Sequence, residues 1–217
     1  MTSQPDLQPP QPPRIAVWFL TLFTPAEVEE SITGDLLEEF SGIALESGYA
    51  FGRRWYWRQT LKTIIHAGGS AFRAAPWLML VAVIGGFWLI GFATRSSQHA
   101  MRMFLDARRI YELHPNAYLF WLKFPLEIGH IVICSGIGAL VALAARRIEM
   151  AAVMALGLVQ FALFLAGTVT LIAGGHEWLH WFLFMLPWNS LSFIATVIGG
   201  AIVRICRYRV AARPSAA

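Results

Sequence analysis

The stretch from Pro76 to Thr94, PWLMLVAVIGGFWLIGFAT, constrains this chain more than any other. It carries no charge, and about 19 residues of helix at about 1.5 Å each span about 28 Å, the thickness of a bilayer's hydrocarbon core. A polar, Pro-rich and charged prefix precedes it, and a mostly apolar remainder follows it. The chain as a whole is 57% hydrophobic and 14% charged, too apolar for a soluble domain of 217 residues, so further spans are required. Three fit: Leu126 to Ala145, Ala151 to Gly174 and Trp181 to Val203. The expected fold is all-α, an integral membrane four-helix bundle with a cytoplasmic N-terminal helical prefix.

The net charge of +4 does not point to nucleic acid, because the bases cluster beside apolar spans, where they orient the protein and meet anionic headgroups. Arg146 and Arg147 flank the second connection, and Arg204, Arg207, Arg209 and Arg213 lie in a basic tail over 204–217. The third connection has no Lys or Arg, which places both termini in the cytoplasm. The first connection holds Arg95, Arg102, Arg108, Arg109 and Lys123. An interfacial helix over 97–113 accommodates them, with Ala100, Met103, Phe104, Ala107, Ile110 and Tyr111 on one face and Gln98, Arg102, Asp106 and Arg109 on the other. Cys134 and Cys206 fall in a span and in the tail, so no disulfide between them is expected. The start has no secretory signal pattern, and Ile15 to Phe23 is too short to cross a bilayer.

The prefix occupies 14–75, after a disordered Pro- and Gln-rich lead over 1–13. Thr24, Pro25 and Glu27 form a helix start with a capping box. The helix that follows repeats Val28, Ile32, Leu36, Phe40 and Ile43 at three- and four-residue spacing, is otherwise acidic, and holds Gly34 at its middle. After Ser47 and Gly48 a second helix is expected to about His66, with Arg54, Arg58 and Lys62 as a basic stripe and Trp57, Leu61 and Ile64 on an apolar face. Two readings stay open: the two helices pair as a charged hairpin at the membrane surface, or Arg53, Arg54, Trp55, Trp57, Arg58 and Lys62 contact a partner protein or anionic lipid.

Trp18-Phe19-Leu20 with Leu22-Phe23, Ile32-Thr33-Gly34-Asp35-Leu36-Leu37-Glu38-Glu39-Phe40, and Gly48 with Arg54-Trp55-Tyr56-Trp57-Arg58-Gln59 together resemble the prefix domain of bacterial ABC transporter permeases of the macrolide-exporter type. The resemblance covers about 13–66, and Gly34, Asp35, Glu38 and Glu39 are its motif residues. It implies the bacterial inner membrane, and an ABC transporter or other envelope complex as partner. No G-x-x-x-x-G-K-[ST] loop occurs, and the resemblance implies no reaction.

One constellation carries chemistry. The third connection contains His176-Glu177-Trp178-Leu179-His180, an H-E-x-x-H pattern whose histidines, on a helix, face one way and can bind zinc while Glu177 acts as general base. Glu127 and His130 enter the membrane from the same side and complete a candidate ligand set of His176, His180, His130 and Glu127. Set against it is interfacial placement of the same residues, hydrogen-bonded to water or lipid. The leading expectation is therefore a non-enzymatic membrane protein without a cofactor, in contact with lipids and acting through its prefix. The alternative is a metal-dependent membrane hydrolase, or a zinc or haem protein. A third reading is a small homo-oligomeric transporter lined by Gln160, Thr168, Thr170, Asn189 and Ser190.

Overall fold

The computed structural model describes residues 10–24, 26–146, 148–175 and 178–211. The described residues form eight α-helices and no strand, and the chain divides into two compact units, Met1–Ala74 and Ala75–Ala217.

The first unit contains α1 (Arg14–Phe23), α2 (Ala26–Ser47) and α3 (Tyr49–Ala74). Helix α1 ends at Thr24, which is extended (φ −88°, ψ 137°), as the following Pro25 demands. Helix α2 runs unbroken through Gly34 and stops at Gly48, whose φ of +87° is the left-handed conformation that closes helices at little cost only with glycine. These three helices share one core: Ala16 and Leu20 from α1, Leu36, Phe40 and Ala44 from α2, and Tyr56 from α3. Phe40 and Tyr56, both fully buried, meet edge-on with centroids 5.7 Å apart. Gly52 allows this approach, since a Cβ there would come within 3.2 Å of both Ala44 and the Phe40 ring. The buried stripe of α3 is thus Gly52, Tyr56 and Thr60, one turn apart. The apolar face expected from Trp57, Leu61 and Ile64 is not the packed one: Trp57 and Leu61 are exposed. Helix α3 also continues beyond His66, to Ala74.

The second unit contains α4 (Pro76–Ala107), α5 (Ile110–Leu113), α6 (Pro115–Ala144), α7 (Glu149–Ala173) and α8 (Trp178–Ala211). Four stretches are long and apolar enough to cross a membrane: Pro76–Ala107, Phe124–Ala144, Glu149–Ala173 and Phe182–Tyr208. They make this a multi-pass membrane protein. Trp77, Trp88, Phe92, Val132 and Val169 remain exposed, the surface expected of helices whose solvent is lipid. Helix α4 does not stop at the end of its apolar run. It continues through the charged residues to Ala107, so the helix expected over 97–113 is in large part the extension of the first span. The chain then turns at Arg108 and Arg109, the latter left-handed at φ 50°.

Close helix contacts lie at small residues, as expected where lipid removes the hydrophobic drive for helix association. Gly138 of α6 and Gly199 of α8 each face a main-chain carbonyl of the other helix, those of Thr196 and Ser135. Gly86 of α4 packs on Leu156 and Val141, and Gly200 of α8 packs on Val153. Ser192 and Thr196 are buried, and each returns its hydroxyl proton to the carbonyl four residues earlier in α8. Pro187 sits inside α8 without ending it, and Asn189 donates to the Met185 carbonyl rather than to the Leu183 carbonyl that Pro187 leaves without its usual donor.

Candidate functional site

In the first unit, burial of the Gly52–Tyr56–Thr60 stripe sends the neighbouring positions outward. Arg53, Arg54, Trp57, Arg58 and Lys62 are exposed, while Trp55 packs against the edge of the core and the Trp57 ring stands 6.2 Å from that of Phe19. On α2, Gly34, Asp35, Glu38 and Glu39 are likewise exposed, and no Cβ at Gly34 would touch anything. The acids of α2 and the bases of α3 belong to adjacent helices, yet among the described residues no ion pair joins them. The two helices are held by Phe40, Ala44, Gly52 and Tyr56. The Tyr56 hydroxyl finds no hydrogen-bond partner, and burial pushes its pKa above the ordinary 10.0.

A second polar group lies inside the membrane-spanning unit. A hydrogen bond of 2.9 Å joins His130 Nδ1 of α6 to Thr94 Oγ1 of α4, and His130 Nε2 lies 3.6 Å from Cys134 Sγ, one turn along α6. Cys134 is fully buried, with the hydroxyls of Ser192 and Thr196 of α8 beside its thiol. Three helices therefore converge on one imidazole and one thiol. Glu127 is half-buried on α6, three residues before His130. His176 and Glu177 lie outside the described residues, as does the side chain of His180, while its backbone belongs to α8. Among the described residues, no three His, Cys, Asp or Glu side chains gather as a metal-holding group. Of the residues read as a transport path, Thr168, Thr170 and Asn189 bond to carbonyls of their own helices, and Gln160 Nε2 is buried without a partner.

Among the described residues, the ion pairs centre on Glu149, which the sequence reading did not single out. Glu149, the first residue of α7, accepts a 2.7 Å hydrogen bond from Arg207 Nη1 of α8, and Arg204 Nη1 lies 4.0 Å from its other oxygen. Arg204 is buried, stacks its guanidinium 5.5 Å from the Tyr208 ring centroid and donates to the Tyr208 hydroxyl. Arg207 also reaches the Leu143 carbonyl at the end of α6, so one guanidinium ties three helices. A signal was available: Glu149 is the one acid between Glu127 and Glu177, and it lies beside the start of an apolar span.

No family model, curated protein or solved structure matches this chain. The chemistry of its charged and polar groups therefore rests on their own geometry.

Proposed function

We propose that this protein is a non-enzymatic membrane adaptor, in which four spanning helices anchor a helical prefix that docks a transport or envelope complex. The observation that carries the reading is the unpaired charge of the prefix. A unit with its own apolar core displays Asp35, Glu38 and Glu39 on one helix and Arg54, Arg58 and Lys62 on the next, and among the described residues no ion pair joins them. Fixed, solvent-exposed charge of both signs steers and orients a charged partner. The resemblance of 13–66 to permease prefix domains supports a bacterial ABC transporter or envelope complex as that partner. The arginines after the last span, and their absence from the third connection, support cytoplasmic termini in the inner membrane.

Co-purification in mild detergent tests this. A defined partner should be retained by the full-length protein and lost when Arg54, Arg58 and Lys62 are all replaced by Glu. Recovery of the same proteins with either form removes the adaptor reading.

A second reading, a zinc or haem protein, is favoured by one observation: an imidazole nitrogen and a thiol 3.6 Å apart inside the helices, with Glu127 three residues away. It requires metal or haem to accompany the purified chain and to be lost in the His130→Ala form and in the His176→Ala, His180→Ala form. Absence of both from protein prepared without chelators removes it.

A further inference from the structure

Where α4 turns into α5 the protein has a trough of about 670 Å³, a volume typical of ligand sites. Its walls are Ala100, Met101, Phe104 and Leu105 of α4, Ile110 of α5 and Trp121 of α6, and Ser97 is the one polar side chain among the lining residues. Met101 and Leu105 follow Ser97 at one-turn intervals along α4, and the same face leads on to Arg108. The Arg108 guanidinium lies 5.6 Å from the centroid of the Phe104 ring, so a cation stands over the aromatic wall of the trough. Arg109 follows in the left-handed conformation that reverses the chain and brings Ile110 to the trough. Arg102, Arg108 and Arg109 are exposed beside the exposed acids Asp106 and Glu112, and none of the five forms an ion pair among the described residues.

We infer that this trough binds an anionic phospholipid, with an acyl chain along Ala100, Phe104 and Trp121 and the phosphate on Arg108 and Arg109. The occupant follows from two features taken together. The lining is apolar, which suits hydrocarbon. At the reversal of the chain Arg108, set over the Phe104 ring, and Arg109 are exposed and unpaired among the described residues, which suits a phosphate of net negative charge over a zwitterionic headgroup. The inference is independent of the adaptor reading of the prefix.

Native mass spectrometry of the full-length protein tests it, with dioleoyl phosphatidylglycerol and dioleoyl phosphatidylcholine, which share acyl chains and differ in headgroup. Phosphatidylglycerol should be retained about tenfold better. An Arg108→Gln, Arg109→Asn form should bring the two lipids to parity, Asn being chosen because it tolerates the left-handed backbone. Ala100→Trp, which fills the trough, should lower retention of phosphatidylglycerol. Equal retention of the two lipids by the wild-type protein overturns the inference, as does an undiminished preference in the arginine double variant of matched helix content. A change of oligomeric mass on Ala100→Trp with phosphatidylglycerol still retained also overturns it, and assigns the trough to a second copy of the chain.

Discussion

Gly138 of α6 lies so close to the main-chain carbonyl of Thr196 in α8 that a Cβ at this position would overlap it, and Gly199 faces the Ser135 carbonyl in the same way. The crossing of these two helices is set by the absence of two side chains. Gly138→Ala must push the helices apart and is expected to destabilise the protein by about 1–3 kcal/mol, the usual cost of overpacking. Gly136, one residue before Ile137 on the same helix, meets nothing within 4 Å of its ideal Cβ, so Gly136→Ala should be neutral or mildly stabilising. Loss of helicity on titration with a denaturing detergent compares the two. Equal behaviour would show that the crossing is not this tight.

Tyr56 buries a hydroxyl that bonds to nothing in the prefix core. Tyr56→Phe removes that desolvated group and keeps the ring against Phe40, so it should stabilise the prefix by up to about 1 kcal/mol. The same burial fixes the sign of a pH effect. With its pKa raised above 10.0 in the folded state, Tyr56 keeps its proton longer when folded than when unfolded. Its contribution is intact below pH 10 and is lost as pH rises toward the folded value. Proteolysis of the prefix against pH should show this loss in the native sequence and less of it in Tyr56→Phe.

Glu149 holds two arginines, one of them buried. Glu149→Ala leaves Arg204 and Arg207 without their acid and should cost about 1–3 kcal/mol, in the range of charge-assisted hydrogen bonds and short of a fully buried pair because Arg207 is partly exposed. A double-mutant cycle with Arg207→Ala measures the coupling. A coupling energy near zero would mean that the pair is ornamental.

The two cysteines are both free, Cys134 buried and Cys206 exposed. A polar maleimide should label one thiol under native conditions and two after denaturation, and Cys206→Ser should leave none to label in the native state. Rapid native labelling of Cys134 would show that the cluster around His130 opens to water.

The spanning helices and the division into prefix and membrane unit were legible because hydropathy and charge are local properties of sequence. Four long apolar helices were expected and four are present, and the α2–α3 turn lies at Ser47-Gly48. What escaped was decided by shape or by distance along the chain. In α3 the side chains with the larger apolar content, Trp57 and Leu61, stayed outside, while Gly52 went in against the ring of Phe40 and Thr60 was buried two turns further on. The extension of α4 past Thr94 was missed because hydropathy falls there while nothing breaks the helix: no Pro occurs between Pro76 and Pro115. The His130–Thr94 and Glu149–Arg207 pairs join residues 36 and 58 positions apart, beyond any local pattern. Of the H-E-x-x-H site, His130 and Glu127 could be located, and the histidine turned out to have a threonine and a thiol as neighbours.

The contact between Glu149 and the arginines of α8 also has a place in time. Arg204 and Arg207 are made last among the residues that close this unit, long after Glu149 has left the ribosome. Until then the Glu149 carboxylate lacks the two arginines that hold it in the complete unit. The helix made last is thus the one that neutralises the carboxylate at the head of α7, and the bundle's charge is balanced only when its final turns are in place.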